Sequence, residues 1–516
     1  MIRVSALRSE RWLALVAAGW IGTAGLPAAA ASPAAPAEDL YREAQALGAK
    51  YAAELGTLAA WCDQNSLPAE AKQTRQSLGP RDPYKLYLPI LPSEVGPAGP
   101  PAGASPETRQ WHARFLKLRQ EQAAALYDLA RRAIRKHQAS LAYQLVLEAI
   151  REDPDHEGAR RVFGYQKYEG QWHTAYEARK LRAGMVWHEK FGWLPKANLA
   201  RYEQGERLSG GRWISQEADA RAHRTIESGW DVETDHYLIR TDHSIEAGVE
   251  LGLRLERLHR LWQQIFVCFY ASETYADTLL TGRAQARFTE LPRFHVTYFR
   301  NRQEYLRTLT PKQRDIAITC GLYRAADHVA YFYAGGDDTE RVLYHEATHQ
   351  LFHQSRRPAP DVGARANFWI VEGIAMYMES LHREDDSYVL GGLGDARMVA
   401  ARYHLLKQNF YVPFAQVTML GMRDLQTHPA VAKLYSQMAA MTHLLICTDG
   451  GRCRDALVAY LSAVYNGSQD PNLLARLIGT SYADLDRKYR EFLETNLPDK
   501  TPAEQSPAAG REAPSP

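Results

Sequence analysis

Residues 344–350 carry two histidines four positions apart, in the order Tyr344-His345-Glu346-Ala347-Thr348-His349-Gln350. Side chains at this spacing lie on one face of an α-helix, so both imidazoles can reach a single metal ion. Glu346 follows the first histidine directly, where its carboxylate can take a proton from water and pass it to a leaving group. The stretch therefore predicts a helical metal site with its own general base.

A second stretch, residues 368–379, supplies a candidate third ligand: Phe368-Trp369-Ile370-Val371-Glu372-Gly373-Ile374-Ala375-Met376-Tyr377-Met378-Glu379. A catalytic zinc ion usually has three protein ligands and one open position. The segment between the two stretches contains Pro358 and Pro360, and it is long enough for one helix to end and a second to return. Glu372 is therefore predicted to bind zinc together with His345 and His349.

These two stretches resemble the gluzincin type of zinc metallopeptidase, the thermolysin-like clan, in which a glutamate on the following helix is the third ligand. The aromatic-x-x-Glu-Gly-x-Ala pattern of that clan matches residues 369–375, and the resemblance covers roughly residues 230–495. It is closest to the peptidase-MA-like domains of secreted bacterial proteins. The resemblance implies an α+β, zincin-like fold with a small mixed sheet lobe and a helical lobe. It also implies peptide-bond hydrolysis with Glu346 as the base.

The same resemblance suggests how a substrate would bind. The strand before the zinc helix, residues 328–333, is expected to pair with an extended peptide. An oxyanion donor is expected from the helical lobe, and Tyr435 is the first candidate and His443 the second. The signature by which some clan members grip a free amine is absent, so nothing favours an aminopeptidase. Ser355 stands where the metzincin class has a third histidine, which excludes that class.

Other residues near the two stretches are given structural roles. His353 lies one turn beyond His349, too far along the helix to share the metal, and is predicted to lie behind the site or at the surface. Glu379 is on the same helical face as Glu372 and could orient an imidazole, although an exposed position is favoured. Trp369 and Tyr377 are predicted to pack between the helices.

At 516 residues the chain is expected to contain two or three domains. The predicted strands are 236–241, 294–299 and 328–333. The helix pairs near residue 150 favour either tetratricopeptide-like repeats or a plain bundle. The expected order is a signal peptide (1–31), an N-terminal helical segment (38–88), a Pro/Gly-rich linker (89–107), an all-α domain (108–195), a connecting segment (196–229), the metallopeptidase domain (230–497) and a disordered tail (498–516).

The first 31 residues combine three arginines, an apolar run and an alanine-rich end, which is typical of an export signal. A retained N-terminal anchor is the alternative. The signal carries a net charge of +2, so its removal would bring the formal charge of +2 to about zero, which gives no electrostatic reason to expect nucleic-acid binding. Of the five cysteines, Cys447 and Cys453 could form a small disulfide loop or remain two buried thiols.

The function predicted from these patterns is that of a secreted, periplasmic or cell-surface zinc peptidase acting on a peptide or protein. The alternative is a secreted binding or scaffold protein that recruits a protein partner through its helical N-terminal region and carries an idle peptidase-like domain. A zinc hydrolase acting on another kind of bond is a third interpretation. The complete set of His345, Glu346, His349 and Glu372 favours the first, because an idle domain would be free to lose any of them.

Overall fold

The computed structural model describes most of the chain, namely residues 39–77, 82–96, 99–100, 102–283, 293–313, 316–336 and 339–495. The predicted signal peptide and C-terminal tail lie outside the described residues. From Leu40 onward the described residues form one compact unit. No helix within these ranges is long and apolar enough to cross a membrane.

The chain is a mixed α+β protein, and the predicted α+β class is confirmed. Its N-terminal part consists of α1 (Leu40–Gln64), α2 (Pro68–Gln76), β1 (Lys85–Pro89), α3 (Pro106–Arg135), α4 (Ala139–Glu152) and α5 (Glu157–Val162). Hairpins and short helices follow: β2 (Tyr165–Tyr168), β3 (Gln171–Thr174), α6 (Ala175–Arg182), β4 (Met185–His188), β5 (Gly192–Pro195), α7 (Leu199–Glu203), β6 (Glu206–Ser209), β7 (Arg212–Ser215) and α8 (Gln216–Ala222).

The second half contains a sheet lobe and then a helical lobe. The sheet lobe comprises β8 (Trp230–Glu233), β9 (Tyr237–Thr241), α9 (Ile245–Ile265), α10 (Val267–Tyr270), α11 (Glu273–Leu280), β10 (Phe294–Phe299), α12 (Arg302–Leu309), β11 (Leu322–Arg324), β12 (Val329–Tyr333) and α13 (Thr339–Gln354). The helical lobe comprises α14 (Phe368–Met378), β13 (His382–Glu384), β14 (Ser387–Gly391), α15 (Ala396–Gln408), α16 (Phe414–Val417), α17 (Met422–Gln426), α18 (Val431–Cys447), α19 (Arg454–Tyr465), α20 (Leu473–Ile478) and α21 (Tyr482–Thr495).

Strand β1 ties the N-terminal region to the helical lobe. It pairs antiparallel with β14, and its alternate residues Leu86 and Leu88 are buried in the main core. The carbonyl of Tyr84, just before the strand, accepts a hydrogen bond of 2.6 Å from His443 Nε2 on α18. Residues 85–89 are thus a strand at the point where the sequence suggests a helical segment passing into a linker.

Residues 164–222 contain a repeated hairpin-and-helix unit that the sequence interpretation missed. In each unit a two-stranded hairpin precedes a short helix, so β2-β3-α6, β4-β5-α7 and β6-β7-α8 are equivalent. Trp172, Trp193 and Trp213 each occupy the second position of the second strand. The all-helical structure predicted for residues 108–195 holds for α3 to α5, but strands β2 to β5 interrupt it from Tyr165 onward. The last two units extend into the segment predicted to be a connection.

The start of each hairpin unit depends on glycine. Gly164, Gly184 and Gly205 directly precede the first strands, with φ angles of 78°, 74° and 88°. Residues with a Cβ rarely adopt this left-handed conformation, whereas glycine adopts it readily. The spacing of these glycines, like that of the tryptophans, is about 20 residues, which is the period that marks a structural repeat.

The five-stranded sheet has the order β11-β12-β10-β9-β8. Strands β9, β10 and β12 run parallel, and the edge strands β11 and β8 are antiparallel to their neighbours. The three strands predicted from the sequence correspond to β9, β10 and β12. Helices α9 and α13 pack against this sheet, and their apolar residues join those of the helical lobe in one core.

Helix α13 has two different faces. Leu343, Ala347 and Leu351 are almost fully buried and form the core stripe. His345 and His349 are offset from that stripe by two residues, which corresponds to about 200° around a helix. Their side chains are only 18% and 17% exposed, so they line a recess rather than the outer surface.

Helix α14 is buried on nearly every side. Trp369 is 0% exposed and donates a hydrogen bond of 3.0 Å to the Tyr460 hydroxyl, and Tyr377 is 3% exposed. Both residues were predicted to pack between helices, and the prediction is confirmed. Glu372, the predicted third ligand, is therefore carried by a helix that is packed on nearly every side.

The five cysteines, Cys62, Cys268, Cys320, Cys447 and Cys453, are all free thiols. Of the two arrangements considered for Cys447 and Cys453, the structure has the unpaired one. Cys447 is buried, and burial raises the pKa of its thiol to about 11. It is therefore protonated and unreactive near neutral pH.

The role of β1 can be tested by replacing Leu88, which is 2% exposed, with alanine. Truncating a buried leucine leaves a cavity, so Leu88→Ala is expected to lower the free energy of unfolding by about 2–5 kcal/mol. Chemical denaturation of the whole chain measures the change. Leu208→Ala is the control, because Leu208 is 42% exposed and should change stability by no more than about 0.5 kcal/mol. Equal, small effects of the two substitutions would mean that β1 is not part of the core.

Candidate metal centre

Two helices bring the candidate ligands together. Helix α13 carries His345 and His349, and α14 returns beside it with Glu372. The turn into α14 is set by Asn367, which is fully buried in a left-handed conformation with φ 64°. Its side chain accepts a hydrogen bond from the Tyr460 hydroxyl and donates one to the Asp470 carbonyl. These contacts fix where α14 begins and therefore where Glu372 lies.

The three side chains converge on one point. The Nε2 atoms of His345 and His349 are 3.1 Å apart. The Glu372 carboxylate lies 3.6 Å from His345 Nε2 and 3.8 Å from His349 Nε2, through different oxygens. Two imidazole nitrogens and a carboxylate are the donor set of many catalytic zinc sites. The residues singled out in the sequence as ligands are thus the ones the structure brings together.

Glu379 holds the imidazole of His345 in place. Its Oε1 lies 2.9 Å from His345 Nδ1, and its side chain is only 4% exposed. A proton on Nδ1, donated to this carboxylate, leaves the lone pair of Nε2 facing Glu372 and His349. The exposed position favoured for Glu379 was therefore wrong, and the orienting role considered beside it fits the geometry.

Two arginines neutralise Glu379. Arg341 donates to its Oε2 at 3.0 Å, and Arg397 donates to both carboxylate oxygens at 3.1 Å. Burial by itself would raise the pKa of Glu379, but the hydrogen bonds from His345 and Arg397 outweigh it and bring the pKa to about 2. The carboxylate is therefore ionised near neutral pH.

The remaining charge of the site favours a cation. Burial lowers the pKa of His345, but the hydrogen bonds to Glu372 and Glu379 raise it to about 10. Burial and the neighbouring His345 lower the pKa of His349. A proton on His345 Nε2 and a metal ion at that atom are therefore alternatives, and either one balances the Glu372 charge.

The donor set fits a zinc ion. The ligand atoms of His345, His349 and Glu372 all lie within 4.8 Å of one another, and the side chains remain partly open to solvent. Zinc binds imidazole nitrogen and carboxylate oxygen at about 2.0–2.2 Å and accepts three protein ligands in catalytic sites. The structure therefore supports a possible metal-binding group at the predicted position.

Glu346 is aimed at the same recess from the side of the sheet. Its Oε2 accepts a hydrogen bond of 2.7 Å from the backbone N–H of Tyr323 in β11. Strand and helix come this close because Gly321 has no side chain: a Cβ there would lie 2.7 Å from Val342 Cγ1 and 3.4 Å from Glu346 Cγ. The candidate base is thus positioned by the edge of the sheet.

The edge of the sheet next to α13 is β11, which the sequence interpretation did not identify. Strand β12 pairs with β10 on one side and β11 on the other, so residues 328–333 cannot add a further strand. That expectation for peptide binding was wrong. The edge strand on that side is β11, and its Tyr323 N–H is the group that contacts Glu346.

Tyr435 lies on α18 and is partly buried against the main core. Burial, followed by the charges of Glu372 and Glu346, raises the pKa of its hydroxyl above the ordinary value, with Arg397 acting in the opposite direction. The phenol therefore remains a hydrogen-bond donor at neutral pH. Its role as the oxyanion donor stays a prediction.

His443, the second choice, is placed elsewhere. It is 1% exposed, its Nε2 bonds the Tyr84 carbonyl, and its ring packs near Tyr377 and Phe492. It fastens β1 to α18 and takes no part in the recess. Tyr465 on α19 is buried against Phe269 and Phe352, and burial, followed by the charge of Glu372, raises the pKa of its hydroxyl.

His353 stays out of the ligand set, as predicted. Its Nδ1 lies 3.0 Å from the Tyr323 hydroxyl, and its ring packs edge-on to His328. It therefore supports β11 from behind the site.

Comparisons of the chain with protein-family models, with curated proteins and with solved structures find no match.

The orienting role of Glu379 leads to a measurable expectation. Glu379→Gln keeps the size of the side chain but removes the charge that holds His345 Nδ1–H, so zinc affinity should fall about 10- to 100-fold. Competition with a fluorescent zinc chelator measures this affinity. Glu494→Gln, at an exposed position on α21, is the matched control and should leave it unchanged. Equal affinities in the two variants would show that Glu379 does not position the ligand.

Proposed function

We propose that the chain is a zinc-dependent peptidase of the gluzincin type, exported by its N-terminal signal. One observation carries this proposal: His345, His349 and Glu372 converge on a common point with Glu346 beside them. The supporting architecture is a sheet with an antiparallel edge strand next to α13, facing a helical lobe that supplies Glu372 and Tyr435. This arrangement is what the resemblance to zincin-like folds implies.

A bound zinc ion would supply Lewis acidity, which activates water and polarises a peptide carbonyl. Glu346 would accept a proton from the attacking water and later deliver it to the leaving amine. The Tyr435 hydroxyl would donate a hydrogen bond to the developing oxyanion, which it can do because it stays protonated. An extended peptide would pair with the outer edge of β11 through backbone groups other than the Tyr323 N–H, which bonds Glu346.

The binding or scaffold alternative rests on the N-terminal region alone. The helix pair α3-α4 and the hairpin units offer surfaces for a protein partner, but they need no metal chemistry. The oriented imidazole of His345 and the positioned carboxylate of Glu346 serve no purpose in a pure scaffold. The peptidase interpretation accounts for both, and a partner on the N-terminal region stays a prediction.

The proposal is tested by incubating the full exported chain with zinc and a library of internally quenched peptides. Hydrolysis that stops with a chelator and returns with zinc is the expected result. The position of cleavage in responsive peptides separates endo- from exopeptidase action. A folded, zinc-loaded chain that cleaves no peptide or denatured protein, while its own N-terminal helical region captures a protein partner, would favour the scaffold instead.

The role of Tyr435 can be tested separately. Tyr435→Phe removes only the hydroxyl, so kcat should fall by about 10²- to 10³-fold, the range for loss of one oxyanion donor. Zinc content should not change, because Tyr435 is not a ligand. Tyr403→Phe, at a residue 53% exposed on α15, is the control and should retain full activity. Full activity in Tyr435→Phe would assign the donor to another group, with Tyr465 the next to examine.

A further inference from the structure

A second group of metal-ligand side chains lies at the start of β9. His236 precedes the strand, and Glu256 and His259 come from one face of α9, three residues apart. One ligand atom from each lies within 4.8 Å of the other two. None of these residues belongs to the centre formed by α13 and α14, and the peptidase proposal gives them no role.

The carboxylate of Glu256 is held in a fixed orientation. Its Oε1 accepts hydrogen bonds of 2.6 Å from both the His236 backbone N–H and the Thr234 hydroxyl. Its Oε2 lies 2.8 Å from His236 Nδ1. One oxygen is therefore used to anchor the carboxylate, and the other faces the imidazoles. Ligating carboxylates are commonly supported by such outer hydrogen bonds.

His259 has an unmet bonding requirement. The residue is 4% exposed, and its Nδ1 has no hydrogen-bond partner among the described residues. Leaving a buried polar atom unpaired costs about 1–3 kcal/mol, so a partner is expected at such a position. Its ring stacks face to face on that of His236, with centroids 3.7 Å apart, so one imidazole must turn before both can direct a lone pair at the same ion. A metal ion would then give His259 the partner that its Nδ1 lacks.

The types of donor in the group favour a divalent transition metal. Carboxylates and guanidinium groups both lie around it: Asp235 is next to His236 in the chain, and Arg293 donates a hydrogen bond to the Thr234 carbonyl. The side chain of His236 is 29% exposed, so an ion can enter from solvent. Imidazole and carboxylate donors select zinc and similar transition metals over calcium or magnesium.

We propose that His236, Glu256 and His259 form a second, structural site for a divalent transition metal such as zinc. The ion would fasten the β8-β9 turn to α9. It would also steady the first hairpin unit, because the Thr174 hydroxyl of β3 donates a hydrogen bond of 2.9 Å to Asp235. Its function is to join elements rather than to activate water.

Zinc analysis of the full chain after dialysis against zinc and then buffer tests this site. About two zinc ions per chain are expected, one in each three-ligand set. His349→Ala should retain one, His236→Gln should retain one, and the double variant should retain none. His236 is chosen because it is partly exposed, so the substitution is tolerated more easily than one at His259. Circular dichroism confirms that each variant is folded.

A second readout does not depend on counting ions. In the His349→Ala background, zinc should raise the midpoint of thermal unfolding by roughly 5 °C through the remaining site. The added change His236→Gln should abolish the rise. A folded His349→Ala chain that holds no zinc and is not stabilised by it would overturn the second site, leaving a histidine–glutamate ion pair. A different result would overturn the peptidase proposal: a His349→Ala chain that holds as much zinc as the parent. That result would not by itself contradict the second site.

Discussion

Replacing Glu346 by glutamine is expected to lower the rate of peptide hydrolysis by about 10²- to 10⁴-fold, the usual contribution of a general base. Glutamine has the same shape but cannot accept a proton from water. Its side-chain oxygen can still accept a hydrogen bond from the Tyr323 backbone N–H, which in the parent bonds Glu346 Oε2 at 2.7 Å. The edge strand should therefore keep its position, and the loss should appear in kcat rather than in KM.

Two further measurements make this result specific. Zinc content should equal that of the parent, because both imidazoles and Glu372 are unchanged. Glu340→Gln is the matched control: Glu340 lies on the same helix, is exposed, and only accepts a hydrogen bond from the Tyr344 hydroxyl. It should retain full activity. Hydrolysis by Glu346→Gln at the parent rate would remove Glu346 as the base and with it the proposed mechanism.

The second large effect is expected from His349→Ala, which removes one of three direct ligands. Loss of an outer partner of a ligand costs about 10- to 100-fold in metal affinity, so loss of the ligand itself should cost more. Hydrolysis should fall to the background rate, as it should in the parent treated with a strong chelator. Added zinc should restore hydrolysis in the chelated parent but not in the variant. The variant lacks His349 Nε2, which lies 3.1 Å from His345 Nε2.

His353→Ala is the control for this experiment. His353 is one turn further along α13 and contacts the Tyr323 hydroxyl rather than the ligand set. Its removal should leave the zinc content of the catalytic site unchanged. If His349→Ala and His353→Ala lose zinc to the same extent, the metal is not held where the geometry places it.

The ligand set could be predicted from the sequence because it depends on local rules. Residues four apart on a helix share a face whatever surrounds them, which brings His345 and His349 together. Strands β9, β10 and β12 were also predictable, since runs of β-branched and aromatic residues mark buried strands. Glu372 required the additional pattern of residues 369–375, because sequence spacing alone does not fold α14 back onto α13.

What the sequence did not reveal depends on contacts between distant segments or on very short elements. Glu379 is held by Arg341 and Arg397, whose side chains meet it only after α13, α14 and α15 are assembled. Strand β11 has three residues, too few for a two-residue alternation to be recognised. The hairpin units were different: glycines at 164, 184 and 205 and tryptophans at 172, 193 and 213 show a period that a search for repeats could have found.

The most direct test of the metal centre is a crystal of the zinc-loaded chain with diffraction measured on both sides of the zinc absorption edge. An anomalous peak is expected about 2.0–2.2 Å from His345 Nε2, His349 Nε2 and a Glu372 oxygen. That peak should disappear in crystals of His349→Ala. Zinc-soaked crystals of the folded parent with no anomalous density between these three side chains would contradict this expectation.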